Sequence, residues 1–279
     1  MVPDLLVVGH LCLDVTPEGP RPGGSAAFAA LAARALGLRP AVVTSAGPDL
    51  DPRAVLGDVP AHVLPARRTT SFLNRYRGGR RSQTLLARAT PLGFDDVPPT
   101  WRRAPLVLLA PVAGEVPVAM ARSFPQATVV ACLQGWLRRW DPEGRVFPRR
   151  WEGARLLPHV EAATVSQEDF RDADLPALWA ARTPLLVVTM GEGGAHLHEG
   201  GRVHHVPALP AREVDPTGAG DVFAAAFLVR YAETRDPLEA ARFAAAAASL
   251  AVEAPGLEGI AGRREVEERL ALGREGHQR

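Results

Sequence analysis

The sequence predicts an α/β protein built on a mostly parallel sheet, and three observations carry that prediction. Short, fully apolar runs recur along the chain: Leu5–Val8, Ala41–Thr44, Leu106–Leu109, Thr128–Cys132, Ala162–Val165 and Leu185–Thr189. A strand buried on both faces reads as such a run rather than as an alternation. Helical patterns separate several of them, as at Val116–Arg122 and Leu175–Ala181, which is the order of βαβ units. Two consecutive helices, about Ala219–Tyr231 and Pro237–Val252, close the core, and a third follows Gly262.

The elements can be placed in order. Leu5–Val8 follows a Pro-Asp start, and Gly9, His10 and Asp14 come after it. A loop with Pro17, Gly19, Pro20 and Pro22 leads to Gly23-Gly24-Ser25, where an Ala/Leu-rich helix begins and runs to about Ala35, stopping near Gly37. Residues 67–88 differ in character. Two β-prone runs flank Gly78-Gly79, with polar and apolar residues alternating, which signals a hairpin with one wet or covering face. Such a hairpin inside a parallel α/β chain suggests an added lid.

Composition excludes several classes. The 279 residues are 47% hydrophobic and 23% charged, with a net charge of +1. That balance speaks against a dedicated nucleic-acid or membrane-surface binder. No apolar run approaches a membrane span and the N-terminus lacks a signal-peptide pattern, so a cytoplasmic location is expected. Cys12 and Cys132 lie in apolar strand-like segments and are expected to be buried free thiols. The chain contains no lysine, which removes any P-loop or Schiff-base lysine. Bound phosphates would have to be held by backbone amides, arginine and a metal.

The most informative segment is Asp215–Asp221, DPTGAGD, running into VFAAAFLV without a helix breaker. Gly218 and Gly220 let a ligand approach the main chain, and a Gly-rich turn opening a helix is an anion site. Asp221 would repel a bound phosphate unless it has a task such as accepting a proton. The alternative is an aspartate capping an ordinary core helix.

LVVGHLCLD, the double glycine at 23–24, VVTMGEGGA and DPTGAGDVFAAAFL, in this order, resemble the ribokinase-like, or PfkB, carbohydrate kinase family over nearly the whole chain. LQGWLRRW and TTSFLNRYRGGRRSQ are more similar to the branch that includes myo-inositol kinases. The resemblance implies a single domain over 1–279, a three-layer sandwich with a mostly parallel central sheet, and lid strands from roughly 11–22 and 66–92. It implies ATP as phosphoryl donor, Mg²⁺, and transfer to a hydroxyl of a small sugar or polyol. Asp221 would be the base, and the amides of Gly218, Ala219 and Gly220 the anion hole. Asp215 would hold a monovalent cation such as K⁺. A homodimer through the lid is also implied.

Asp14 would accept hydrogen bonds from substrate hydroxyls, with a turn aspartate as the alternative. Gly23 and Gly24 would let amides approach the substrate, or simply form a helix-entry turn. Thr189, Gly191 and Gly194 fall where the family places the nucleotide phosphates, and the purine would lie against about Phe243 to Gly256. Gln134 and Arg138 could reach the transferred phosphate or an acidic substrate group; a solvated surface beside Arg139 and Arg150 is the alternative. Asn74, Arg80 and Gln83 could close over the substrate. His196, His198, His204 and His205 read as strand-surface residues rather than metal ligands.

Two positions depart from the family. Phe28 stands where an asparagine commonly contacts substrate, and an aromatic cannot make the amide's hydrogen bonds. The N-x-x-E element that organises Mg²⁺ through water appears as Ser166-Gln167-Glu168-Asp169, leaving Asp169 and Glu168 as carboxylates for it. A nucleoside kinase, with Phe28 beside the base, and a catalytically inactive sugar- or nucleotide-binding homologue remain open.

Overall fold

In the computed structural model, which describes residues 1–16, 19–77 and 80–276, the apolar runs form the centre of one sheet. The first half contains β1 (Leu5–Val8), β2 (Cys12–Thr16), β3 (Gly19–Gly23), α1 (Ser25–Ala35), β4 (Pro40–Ala46), α2 (Pro52–Leu56), β5 (Ala61–Pro65), β6 (Thr70–Arg77) and β7 (Arg80–Ala87). Then follow β8 (Leu106–Leu109), β9 (Thr128–Cys132), β10 (Arg138–Trp140), β11 (Val146–Pro148), β12 (Ala162–Ser166), α3 (Leu175–Ala180) and β13 (Leu185–Thr189). The chain continues with β14 (Ala195–Glu199), β15 (Arg202–Val206), α4 (Ala219–Thr234), α5 (Pro237–Ala251) and α6 (Arg263–Gly276).

Among the described residues the main sheet has the order β15-β14-β13-β12-β9-β8-β1-β4-β5. It is parallel from β13 to β5, and a hairpin through Gly200-Gly201 adds β14 and β15 antiparallel at one edge. Strand periodicity sorts the core into two layers. Leu5 and Val7 pack with α1, α4 and α5, whereas Leu6 and Val8 pack with Met120, Trp136 and Trp179 on the other face. The fold is therefore the expected α/β sandwich. The two faces differ, because the second is covered largely by short turns. The helix expected at Val116–Arg122 is instead a 3-10 segment, Val118–Ser123, entered through Pro117.

A second, smaller sheet has the order β3-β2-β6-β7. The turn at Gly78-Gly79, the Arg80 side chain and Pro17 lie outside what is described, but β6 and β7 pair antiparallel as their alternation predicts. Its outer strand β3 reads GPRPG and pairs with β2 from Cys12↔Gly23 to Thr16↔Gly19. A short ladder, β10 with β11, lies beside β7, and Thr84 and Arg145 form an antiparallel bridge to it.

Helix α4 is the pivot of the helical layer. Val222 through Val229 are all buried, and the Phe227 ring stacks on Tyr231 with centroids 5.8 Å apart. Phe227→Ala would leave a void that the close-packed neighbours cannot collapse into. The expected cost is about 3–5 kcal/mol of stability, read from the urea midpoint at unchanged m-value.

Candidate active site

One cleft opens where the C-terminal ends of the parallel strands meet the smaller sheet, the usual place for ligands in open α/β sheets. Asp14, Gly24, Gln83, Gln134, Arg138, Gly218 and Asp221 all line it, although they come from segments far apart in the chain. Cys12, Ser25, Phe28, Phe72, Val112 and Thr217 complete the wall.

Gly218 is the N-cap of α4, with φ 80°, a left-handed conformation that glycine adopts without the Cβ penalty. A Cβ there would lie 2.3 Å from Cδ1 and Cε1 of Phe28, so the phenylalanine ring is packed directly on this turn. The same ring lies near Gly23, whose Cβ would meet Phe28 Cε2 at 3.6 Å and Asp14 Oδ2 at 3.1 Å. The glycines thus allow α1, β2 and the start of α4 to converge. Ala219 and Gly220 follow as the first helical residues, and Asp221 sits in the first turn, its own amide bonded to the Gly218 carbonyl (3.0 Å).

On the opposite side three side chains form a relay. Gln83 Nε2 donates to Asn74 Oδ1 (2.8 Å), and Asn74 Nδ2 donates to Asp14 Oδ1 (2.8 Å). The carboxylate only accepts, so it dictates the order of the chain: Asn74 must give its NH₂ to Asp14 and its oxygen to Gln83. Phe72 shares the face of β6 with Asn74, two residues apart. The Arg138 guanidinium lies over Phe72, 5.4 Å from the ring centroid, and its Nη1 donates to the Val112 carbonyl (3.0 Å).

Behind Gln134 lies the acidic turn. Gln134 Nε2 donates to Asp169 Oδ1 (3.3 Å), the Ser166 amide to Asp169 Oδ2 (3.3 Å), and the Glu168 amide to Ser166 Oγ (3.2 Å). Ser166 and Asp169 therefore form a reciprocal cap on a single turn, while Glu168 is exposed. Neither carboxylate lines the cleft; Asp169 reaches it through Gln134, and one or two carboxylates of this kind are the donor set that a largely hydrated Mg²⁺ takes.

Asp215 closes the other flank. Its Oδ1 accepts from the Thr217 amide (2.9 Å) and its Oδ2 from the Gly256 amide (3.0 Å), tying the 256 turn to the glycine loop. Thr189, Gly191 and Gly194 lie at the end of β13 but do not line the cleft. Gly194 has φ 82°, and a Cβ there would meet the Val206 carbonyl oxygen at 2.1 Å. Both cysteines are free and buried. Burial pushes Cys12 well up, reinforced by Glu115, Asp14 and Asp221 against Arg138. Burial likewise raises Cys132, with Asp221 adding to it.

Sequence reasoning missed Phe72 and Val112, which line the cleft. The i, i+2 spacing from Phe72 to Asn74 could have found the first. The His196, His198, His204 and His205 side chains sit on β14 and β15, away from the cleft. A larger hollow of ≈ 290 Å³ lies at the opposite end of the sheet, lined by Met1, Arg34, Arg39 and Trp101. Its arginines are already paired, Arg34 with Asp58 and Arg39 with Asp4, so it offers no comparable chemistry.

Comparison with known proteins agrees with this geometry. Residues 153–260 match the model of the pfkB family carbohydrate kinases. A cytidine kinase of Thermococcus kodakarensis is 27% identical over 259 residues, covering 85% of this chain and 91% of the relative. An inositol 3-kinase of Oryza sativa subsp. japonica is 33% identical over 249 residues, 80% of this chain and 61% of the relative. Among solved structures, a pyrophosphate-dependent kinase of the ribokinase family in its sulfate complex superposes with a TM-score of 0.81 at 23% identity, covering 94% of this chain and 99% of that one. With the parallel sheet, the glycine turn at the head of α4 and the aspartate in its first turn, these matches make the chain similar in fold and in sequence to the pfkB family carbohydrate kinases, which are phosphotransferases.

Proposed function

We propose that this chain transfers the γ-phosphoryl group of ATP to a hydroxyl of a small sugar or polyol, with myo-inositol as the leading acceptor. The observation that carries the reading is the meeting of Asp221 and Asp14 in one cleft with the glycine-opened N-terminus of α4. Asp14 and Gln83 supply oxygen acceptors for neighbouring hydroxyls, which suits a polyol. Asp221 takes the proton of the attacking hydroxyl as its oxygen bonds to phosphorus and the bond to the leaving phosphate breaks. The amide of Ala219 already makes a 3.3 Å bond to the Pro216 carbonyl, so the anion hole rests first on Gly218 and Gly220. Mg²⁺, held through water by Asp169 and Glu168, would neutralise charge on the donor phosphates.

The smaller sheet acts as a lid in this reading, since β2, β6 and β7 contribute Asp14, Phe72 and Gln83. We place the enzyme in the cytoplasm as a homodimer joined through that sheet, where Leu86 of β7 is 44% exposed. A nucleoside acceptor is the second reading. Phe28 and Phe72 favour it only as apolar wall of the cleft against which a base could lie.

Incubation with Mg-ATP, or with pyrophosphate as an alternative donor, against myo-inositol, sugars and nucleosides tests the reading. Acceptor-dependent turnover should fall about 10²–10⁴-fold in Asp221→Asn, the range for loss of a general base. Turnover equal in the mutant would remove Asp221 from the mechanism. No turnover with any acceptor would favour the inactive homologue.

Gly218→Ala should abolish most of that turnover, because the methyl must displace either the Phe28 ring or the turn itself. A displacement of about 1 Å at such a site costs on the order of 10²-fold. Because the clash is with the Phe28 ring, Gly218→Ala should cost less thermal stability in a Phe28→Ala background than in wild type, a non-additivity that a double-mutant cycle by calorimetry reads out.

Asp215 gives a pH dependence. Burial pushes its carboxyl up, but hydrogen bonds from the Thr217 side chain and amide and from the Gly256 amide, with the Arg21 charge, hold it below the ordinary range. The lowered value means that its stabilisation is complete above the unfolded value of about 3.9 and is lost as pH falls through the folded one. Wild type should therefore melt higher than Asp215→Asn at neutral pH, and the gap should close progressively below about pH 4. A gap that persists unchanged into acid would show that the amide hydrogen bonds do not need the charge.

A further inference from the structure

Glu115 has no part in the chemistry above, yet it is 1% exposed and bonded to three backbone amides behind the cleft. Its Oε1 accepts from the His10 amide (3.0 Å) and the Val112 amide (2.9 Å). Its Oε2 accepts from the Ala113 amide (2.7 Å) and again from Val112 (3.1 Å). Backbone donors thus satisfy buried carboxyl oxygens that would be costly to leave without partners.

Each of these amides belongs to a segment that reaches the site. His10 opens the run to Cys12 and Asp14. Val112 lines the cleft, and its carbonyl is the oxygen to which Arg138 Nη1 donates. The His10 ring carries the connection onward: Nε2 donates to the Thr90 carbonyl (2.9 Å), and Nδ1 shares a 2.7 Å hydrogen bond with Thr70 Oγ1. Thr70 begins β6, and its Oγ1 accepts from the amide of Ala89, just past β7. A single carboxylate therefore joins the arm that bears Asp14, the arm that bears Arg138, and the roots of the small sheet.

We propose that Glu115 is a positioning residue for the acceptor: it sets the Val112 carbonyl that aims Arg138 and the His10 backbone that leads to Asp14. The proposal rests on the phosphotransfer reading above. Only an acceptor-only group can serve three convergent N–H donors. A glutamine there would turn its own NH₂ against at least one of them.

The test is steady-state kinetics of wild type, Glu115→Gln, Arg138→Ala and the double variant, with folding checked by circular dichroism and thermal melts. Glu115→Gln should raise the acceptor KM about 10- to 100-fold while the donor KM stays within about twofold. Because the effect travels through Arg138, adding Glu115→Gln to Arg138→Ala should cost less than it costs in wild type. Fully additive losses, an equal rise in both KM values, or unchanged acceptor KM would overturn the proposal. Should Glu115→Gln not fold, Glu115→Asp keeps the charge but withdraws it by one methylene, and the same KM split is expected. Failure of both to fold would mark Glu115 as a stability element only and overturn the positioning role. A wild-type chain that phosphorylates no acceptor overturns the phosphotransfer reading and this proposal with it. A wild type that turns over, with a Glu115→Gln variant that matches it, overturns the positioning role alone.

Discussion

The site depends on helix α4 having no wet side along most of its length. Val222 to Val229 are buried without interruption, and the helix packs against α1, α5 and the strands β8, β9 and β12. A helix apolar all round is held by the whole core rather than along one stripe. Its N-terminus, with the positive end of its dipole, is fixed at the strand ends with the rigidity of the interior. Gly218 and Asp221 inherit that rigidity. Phe28 reinforces it, since the α1 ring against Gly218 leaves the turn no slack on that side.

A second theme is how the loops around the cleft are held. Asp49 accepts from the Thr69 amide (2.9 Å), Asp169 from Ser166, Asp215 from Thr217 and Gly256, and Glu115 from three amides. Carboxylates gripping backbone N–H groups do what ion pairs do elsewhere on this surface, as between Arg150 and Asp174. The difference is physical. An exposed pair is weakened by salt and gains little, whereas a carboxylate bonded to main-chain amides fixes the path of the chain itself. A lysine-free chain thus orders the loops around its cleft through amides held by acids.

What could be read from the sequence was what is local. The strands Leu5–Val8, Leu106–Leu109, Thr128–Cys132 and Leu185–Thr189 fall where their apolar runs place them, because strands buried on both faces leave an uninterrupted signal. The start of α1 after Gly24 and of α4 after Gly218 follows from glycine and helix propensity over a few residues. The strand β5, AHVLP, is short and half exposed, and its pattern did not announce it. Non-local facts were hidden for a different reason. Nothing near Phe28 in the sequence says that its ring meets Gly218, and Glu115, between glycine and valine in AGEVPV, looks like any surface glutamate. Its role exists only because His10, Val112 and Ala113 turn their amides toward one point.

The outer strand of the small sheet has its own consequence. An edge strand normally offers a row of N–H groups on which a foreign strand can nucleate. In β3 two of the five residues are Pro20 and Pro22, which have no N–H to offer, and each faces an apolar residue of β2, Leu13 or Val15, across the ladder. Proline is tolerated in a sheet where its missing donor points away from the partner strand. The free margin is therefore a poor template for runaway strand addition. The prolines guard against aggregation at the place where an otherwise open sheet would invite it.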